Sequence, residues 1–542
     1  MSTPPSTNAA VLDAAWAAAW ADFLSNRIEY AERRAAPFLL SLPHILERSA
    51  DGAAGDEDIS DQLVTLADLA YIAGAARADP KLLSLAVDAY DEHLRRSPSN
   101  HEAMRMRAET LLRCRQYAEA FEGFRQLYEH SLRSVGDAGP DGPANGIPSA
   151  EVAPFQLLHD AECIEHAVEL GADAGALATA AAWRKLAAEL TEEGAAEQQA
   201  AQKQQQTQDV DLRSAAASTR YFAVGGLSVS HRALLGRTFG APLPLPPSVG
   251  VEAAHAAEGP ALRVSIDWAA ACDTYASKRL LVIDDLLSAS TLAALQAYTR
   301  HGAHFRTLRR GYLGAFPADG TTHPLILRLA TELAAAAPAI FARHALAMWW
   351  IFKYDSTTNP EGIGIHADPA AVNINLWLTD DAACLDGGGL VIYSHVPPLE
   401  QATHKVNREF RDASDEASLR ESLAGAGATT TVQYKCNRAC IFVSDQYHES
   451  LPFRFAPGYA QRRANLTLLF GDRWSPLPPA RSAAAAAATS GGAGAAADGW
   501  DAFEVPRPQP GSSVAAGVAA AVACNPSPDG AGTSTGGWDV FD

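Results

Sequence analysis

A chain of 542 residues exceeds what one core ordinarily organises, and at ~150 residues per domain it has room for two or three domains plus linkers. Lys and Arg number 43 against 63 Asp and Glu, and the resulting −20 is spread along the chain, which argues against non-specific attraction to nucleic acid or an anionic membrane. Seven cysteines (Cys114, Cys163, Cys272, Cys384, Cys436, Cys440, Cys524) are odd in number and scattered, the usage of a reducing compartment and not of a disulfide framework, so a cytoplasmic or nuclear location is expected.

The opening MSTPPSTNAAVLDAAWAAAWADFL lacks a basic start before a purely apolar core and carries Asp13 and Asp22, unlike a secretory signal. Its Ala richness without early Arg is also a poor match to an organelle transit peptide. No run of eighteen uncharged apolar residues is present, so no membrane span and a soluble protein are expected.

Residues 1–190 read as all-helical, with apolar positions at helical spacing in DQLVTLADLAYIAGA and HEAMRMRAETLLRC. AVDAYDEHLRRSP from Ala86 superimposes on AFEGFRQLYEHS from Ala120, so Ala86/Ala120 and Tyr90/Phe124 each lie 34 residues apart, the tetratricopeptide period. A small Ala lets the helices of one repeat approach, the aromatic four residues on packs against the next repeat, and Pro98 closes the first copy. The competing explanation is ordinary helix pairing at a chance period. Residues 191–262 read as a linker, polar in EQQAAQKQQQTQD and Pro-rich in APLPLPPSVG, with a short ordered stretch around 219–240.

From 263 to 474 the texture turns β-rich, with strands expected at LLVID, MWWIFKYD, VNINLWLT, GGLVIY, ACIFVSD and ANLTLLFG. A helix is expected after Ser290 as N-cap, in STLAALQAYTR, and another in HPLILRLATELAAAAPAIF. Residues 475–542 collapse into Ala, Gly, Ser and Pro, the composition of a disordered tail, yet GWDAF at Gly499–Phe503 returns as GWDVF at Gly537–Phe541. Two copies of one aromatic word suggest docking to an adaptor-type partner, against duplication of low-complexity sequence.

The chemistry concentrates in GIGIHADPAAVNINLWL. His366 and Asp368 are two apart at a strand end, so both side chains leave one face. A second apolar strand, read over ACIFVSDQYHES, delivers His448 eighty residues on. Two His and one carboxylate bind three positions of an octahedral Fe(II) and leave the others for a bidentate co-substrate and oxygen. In QRRANLTLLFG, alternation places Arg463, Asn465 and Thr467 on one face, so Arg463 faces the cavity while Arg462 faces out. The planar fork of Arg463 suits the distal carboxylate of 2-oxoglutarate.

The order of these motifs resembles the double-stranded β-helix (jelly-roll, cupin-like) of Fe(II)/2-oxoglutarate-dependent oxygenases, with HAD, LDGGGLVIY, FVSDQYHES and RRANLTLLFG standing at that family's metal and co-substrate motifs. APFQLLHDAECIEH near 153–166, and FKYD followed by HADPAAVNINLWLTDDAACLDGGGLVIY, resemble a narrower group that fuses tetratricopeptide-like repeats to the oxygenase domain. The resemblance implies His366, Asp368 and His448 as metal ligands and catalytic centre, with Arg463 as co-substrate anchor. It implies Fe(II), 2-oxoglutarate and O2 as cofactors, with ascorbate as reductant, and hydroxylation coupled to succinate formation. Tyr354 in FKYD is its candidate for a co-substrate contact, and Asn373, Asn375 and Asn465 are candidate hydrogen-bond donors nearby. The DNA-dealkylating branch carries a second Arg where Leu469 stands, which with the acidic charge weighs against nucleic acid.

Several patterns have plainer readings. His159, Cys163 and His166 share a helical face without a fourth ligand and read as structural. Cys436 and Cys440 read as core thiols. The basic stretch RHGAHFRTLRRG, Arg300–Gly311, reads as a solvated face. The whole points to an oxygenase whose repeats recruit a protein or peptide. The rival is an adaptor in which repeats and tail do the work over a spent barrel, and a third reading keeps the enzyme with a small substrate.

Overall fold

The computed structural model describes residues 9–50, 57–136, 151–204, 221–238, 243–249, 256, 258–309, 311–355, 360–399, 407 and 413–474. Both GWDxF words, with all of 475–542, and residues 205–220 of the expected linker lie outside them.

The N-terminal region is helical: α1 (Ala9–Leu24), α2 (Ile28–Ala35), α3 (Leu42–Ala50), α4 (Glu57–Arg77), α5 (Pro80–Arg96), α6 (His101–Arg113) and α7 (Tyr117–Gly136). The starts of α5 and α6 follow from their caps, since Asp79 accepts from Lys81 N ahead of Pro80 and Asn100 accepts from Ala103 N at 3.0 Å. Ala86, Tyr90, Ala120 and Phe124 are all buried, the first pair on α5 and the second on α7. Helices α6 and α7 approach so closely that a Cβ added to Gly123 would stand 3.3 Å from Ala108 Cβ. Next come the two-residue strand β1 (Glu151–Val152), then α8 (Pro154–Glu169) and α9 (Leu177–Gln204), which runs past residue 190. Inside the stretch expected as linker, β2 (Phe222–Ala223) pairs with β1, and α10 (Val229–Thr238) follows. Phe222, Val224, Leu227 and Leu235 join Trp183 of α9 in one apolar cluster.

The remainder is mainly antiparallel sheet. Its larger part has the order β3-β11-β7-β14-β6-β5-β4, formed by β3 (Leu280–Ile283), β4 (Thr307–Arg309), β5 (Tyr312–Ala315), β6 (Leu346–Tyr354), β7 (Val372–Trp377), β11 (Ala439–Val443) and β14 (Arg463–Phe470). A smaller sheet, β10-β9-β12, comprises β9 (Leu390–Tyr393), β10 (Thr429–Val432) and β12 (His448–Ser450), and β8 (Cys384–Gly387) pairs with β13 (Phe453–Phe455). The expected strands are found. The stretch FVSDQYHES, read as one strand, is in fact two: β11 ends at Val443 in the large sheet, and His448 opens β12 in the small one. The expected cap Ser290 lies inside its helix, and Ser288 is the N-cap of Ala289–Ala297.

Alternation gives the large sheet two different faces. Trp349, Ile351, Ile374, Leu376, Leu466 and Leu468 pack in one core with Leu111 and Leu112 of α6 and Phe121 and Phe124 of α7. Phe121 stacks on Trp349 with ring centroids 4.3 Å apart, and Tyr117 Oη accepts from Leu346 N at 3.0 Å. Helices and sheet thus share a core. Phe121→Ala is expected to destabilise the protein by about 3 kcal/mol, through lost transfer energy and the cavity left under Trp349. Chemical denaturation with helix and tryptophan signals recorded together checks it, and both are expected to shift together.

Lys353 lies on the same helix-facing side, buried, its Nζ donating to Tyr459 Oη at 3.0 Å and standing 4.3 Å from the Phe305 ring centroid. Burial pushes its ammonium down to about 7, with Arg462 and Arg300 adding repulsion that Cys163 and Asp160 oppose. Above pH 7 the folded chain holds this amine neutral while the unfolded chain keeps it charged up to its ordinary range. The unfolded state therefore binds more protons, and stability rises with pH between about 7 and 10. Lys353→Met is expected to raise the melting temperature at pH 7 and to flatten that rise, measured by melting curves across the window.

The expected solvated face at 300–311 is instead an interface. His301 and Arg306 are buried, and Arg306 lies 3.4 Å from Asp160 of α8. His159, Cys163 and His166 pack here too: His159 Nδ1 bonds Asp160 Oδ1 at 2.8 Å, Cys163 donates to Arg300 O at 3.4 Å, and the His166 ring faces His301 at 5.1 Å. Arg462 has the expected opposite parity to Arg463, but α8 covers that side. Its guanidinium pairs with Asp355 and with Glu162 of α8, each at 2.9 Å, instead of meeting solvent. Cys440 is a core thiol and Cys436 is half-buried. Among the described residues no helix is long and apolar enough to cross a membrane.

Candidate metal centre

The second face of the large sheet, carrying Asn373, Asn375, Arg463, Asn465, Thr467 and Tyr354, looks toward the small sheet. Where the sheets meet, His366 and His448 form a single antiparallel bridge, His366 N donating to His448 O at 2.9 Å and His448 N to His366 O at 2.8 Å. Residues paired in this way project side chains to one side, so the two imidazoles lie with centroids 4.2 Å apart. Asp368 follows two residues later, held by Asp368 N donating to Ser444 O and by Ser444 Oγ donating to Asp368 O at 3.1 Å. Ile365 and Ala367, of opposite parity, enter a separate apolar cluster with Tyr393, Leu423 and Tyr447.

His366, Asp368 and His448 each offer one ligand atom within 4.8 Å of the others, the one such cluster of three or more among the described residues. His366 Nδ1 lies 2.8 Å from Gly364 O and His448 Nδ1 2.8 Å from Gln446 O. A carbonyl only accepts, so each Nδ1 carries a hydrogen, and the Nε2 of each ring lies toward Asp368, at 3.9 and 3.5 Å from its oxygens. Burial, with His448 beside it, pushes the His366 imidazole down to about 4 and keeps it neutral. Asp368 is buried; Oδ2 accepts from Asn373 Nδ2 at 2.6 Å, whereas Oδ1 has no hydrogen-bond donor. A buried carboxylate with one oxygen lacking a donor, beside the Nε2 atoms of two imidazoles, fits a divalent cation.

A ladder of amides leads away from Asp368. Asn375 Nδ2 donates to Asn373 Oδ1 at 2.9 Å, Thr467 Oγ1 to Asn375 Oδ1 at 3.2 Å, and Asn465 Nδ2 to Thr467 Oγ1 at 3.1 Å. It ends at Arg463, whose Nη1 lies 3.4 Å from Asn465 Oδ1 and whose Nε donates to Gly388 O at 3.1 Å. Arg463 is 2% exposed, and no carboxylate among the described residues pairs with it. The cation rests instead on rings, 4.6 Å from the Tyr354 centroid and 5.4 Å from Phe453. Burial pushes the Tyr354 phenol up to about 12, so its hydroxyl stays a donor. An unpaired buried guanidinium costs several kcal/mol, which a bound anion would recover.

The eight residues singled out from the sequence therefore converge: His366, Asp368 and His448 at one end of the ladder, Asn373, Asn375 and Asn465 along it, Arg463 and Tyr354 at the other. Phe453, the Gly388 carbonyl and Arg473 are parts the sequence did not mark. Arg473 donates to Asp445 Oδ2 at 2.7 Å and to Pro397 O at 2.9 Å, pinning the turn before His448.

No protein-family model and no curated protein sequence matches the chain. Among solved structures it is similar to the non-heme alpha-ketoglutarate-dependent carbocyclase SnoK of nogalamycin biosynthesis, at 14% identity and TM-score 0.28 over 41% of this chain and 97% of that one. It is also similar to a Pseudomonas putida prolyl-4-hydroxylase, at 18% identity and TM-score 0.24 over 38% and 98%. A third is HygX of Streptomyces hygroscopicus with nickel and 2-oxoglutarate bound, at 14% identity and TM-score 0.27 over 38% and 87%.

Proposed function

We propose that the chain is an Fe(II)/2-oxoglutarate-dependent dioxygenase of the double-stranded β-helix class, which hydroxylates a side chain of a protein recruited by tetratricopeptide-like helices. The observation that carries it is the joining, by one hydrogen-bonded ladder, of a three-donor cluster and a buried guanidinium. Two imidazole nitrogens and a carboxylate oxygen face one point, and a buried guanidinium with no carboxylate partner among the described residues stands at the other end of one amide ladder.

His366, Asp368 and His448 would hold Fe(II), and the two Nδ1-to-carbonyl bonds fix both rings for ligation through Nε2. Arg463 would take the distal carboxylate of 2-oxoglutarate in its fork, with the Tyr354 hydroxyl as a further donor. Asn373 holds Asp368 in place while Asn375, Asn465 and Thr467 line the path between the two charges. The walls, including Trp350, Phe352 and Phe453, are buried and exclude water. When bound, Fe(II) and 2-oxoglutarate supply the oxidising chemistry, coupling decarboxylation of the co-substrate to oxygen insertion into a C–H bond. The protein-substrate reading is supported by the helices α6 and α7 on the back of the same sheet and by the 34-residue spacing between the buried Ala and aromatic positions of α5 and those of α7.

The test is succinate and carbon dioxide release from 2-oxoglutarate by the purified chain under air with Fe(II) and ascorbate. Turnover lost in His366→Ala is expected. An inactive wild type that also fails to bind 2-oxoglutarate with metal would overturn the enzyme and favour the adaptor.

A further inference from the structure

The connection between β9 and β10 spans residues 394–428. Its described part includes Asn407 and the helix Ala413–Ala426. These described residues touch both segments that carry the triad. The Asn407 side chain pairs twice with the backbone of Ala367, accepting from Ala367 N at 3.0 Å and donating to Ala367 O at 3.0 Å. Ala367 is fully buried and stands between His366 and Asp368. The amide thus does for this residue what a neighbouring strand would do, satisfying both backbone groups at the point where the chain has no ladder.

The helix adds two more holds. Glu416 Oε1 lies 3.4 Å from Ile365 N, and a Cβ built on Gly364 would fall 2.7 Å from that oxygen, so the helix seats directly on the residue whose carbonyl orients His366 Nδ1. Arg420 bridges outward and inward: Nη2 pairs with Glu416 at 2.9 Å and with Glu449 at 2.6 Å. Glu449 follows His448, is buried, and accepts from Tyr393 Oη at 2.5 Å. Leu419 and Leu423 pack on Ile365, Ala367, Tyr393 and Tyr447. Parity divides the labour. Residues 366, 368 and 448 point to the metal centre, while 365, 367, 447 and 449 are gripped from behind.

We infer that Asn407 and the helix Ala413–Ala426 form a clamp on both ligand-bearing segments, in which Asn407 and Arg420 are positioning residues for His366 and His448. The inference rests on the metal reading of the triad. Without the clamp the two segments are joined by the His366–His448 bridge, the Ser450 N–Ile363 O bond and the Ser444–Asp368 contacts. The backbone of Ala367 and the carboxylate of Glu449 then lose their outer holds, and the spacing of the imidazoles loosens.

The experiment is Co(II) titration of the full chain, followed by the visible d–d bands of the bound ion, for wild type, Asn407→Ala, Arg420→Gln and the exposed control Glu421→Ala. Metal-free melting curves are recorded for each. Loss of an outer partner of this kind weakens metal binding roughly ten- to a hundred-fold. Asn407→Ala and Arg420→Gln are expected to show that loss with altered d–d bands, and Glu421→Ala neither. A merely structural role would lower the metal-free melting temperature and leave affinity and spectrum unchanged, which would overturn the clamp. Should Asn407→Ala fail to fold, Arg420→Gln, whose side chain is substantially exposed, decides alone. A wild type that binds no Co(II) would sink the metal reading itself.

Discussion

Arg463→Met is expected to eliminate 2-oxoglutarate binding at ordinary concentrations while raising the melting temperature of the ligand-free protein. The two effects have opposite signs because, on the proposed function, one side chain is adverse to folding and needed for binding. Arg463 is 2% exposed and rests on Tyr354 and Phe453 with one carbonyl and one amide oxygen as acceptors, so its charge is only partly compensated. Methionine fills similar space without charge, and replacements of buried ionic groups by apolar ones commonly stabilise by about 1–4 kcal/mol. Removing one member of a buried, hydrogen-bonded charge pair costs about 2–5 kcal/mol of binding, or roughly 30-fold to several thousand-fold in Kd. Arg463→Lys keeps the charge but not the fork and is expected to fall between the two. Calorimetric titration of 2-oxoglutarate into the Mn(II)-loaded proteins, beside melting of the metal-free forms, reads both effects. Unchanged affinity in Arg463→Met would mean that the co-substrate carboxylate lies elsewhere.

The Arg463 end of the candidate site was legible in the sequence because its residues sit on long, regular strands, whereas His366 and Asp368 lie outside the named strands, His448 opens the three-residue β12, and these three were read from the order of the motifs. Strands β6, β7, β11 and β14 run five to nine residues with enough apolar and β-branched content to show their period, and parity alone then put Arg463, Asn465 and Thr467 together. Strands of three or four residues show no period: TTTV of β10 and HES of β12 are polar words that acquire meaning only from the partner β9. This is why FVSDQYHES reads as one strand while the chain turns at Ser444–Tyr447 and changes sheet. Arg462 teaches a related lesson. Alternation tells which side a residue takes, not what covers that side, and here Glu162 on α8 supplies the ion pair from three hundred residues away. The buried Arg306 and His301 follow the same rule. Asn407 is the limiting case, since nothing near it in sequence marks an amide that completes the backbone pairing of Ala367.

The strongest loss is expected from Asp368→Ala. Among the three donors Asp368 alone is anionic, and it lies between the Nε2 atoms, with Oδ2 fixed by Asn373 and Oδ1 free of donors. Two neutral imidazoles left without it hold a divalent cation through nitrogen only, and the orphaned Asn373 amide points into the gap. Loss of an outer partner already costs ten- to a hundred-fold in metal affinity, so loss of this ligand is expected to exceed about 100-fold. The effect is readable without turnover. A divalent ion at a hundred times its dissociation constant stabilises the native state by about 2.7 kcal/mol. In a domain of this size that raises the melting temperature by roughly 5–10 °C. Wild type is expected to show that rise with Mn(II) or Co(II) and to lose it on adding a chelator. Asp368→Ala is expected to show none, while its metal-free melting temperature stays close to wild type or rises, because a buried carboxylate with one unpaired oxygen has been removed. Equal metal-induced shifts in the two proteins would place the ion away from Asp368 and remove the triad from the mechanism.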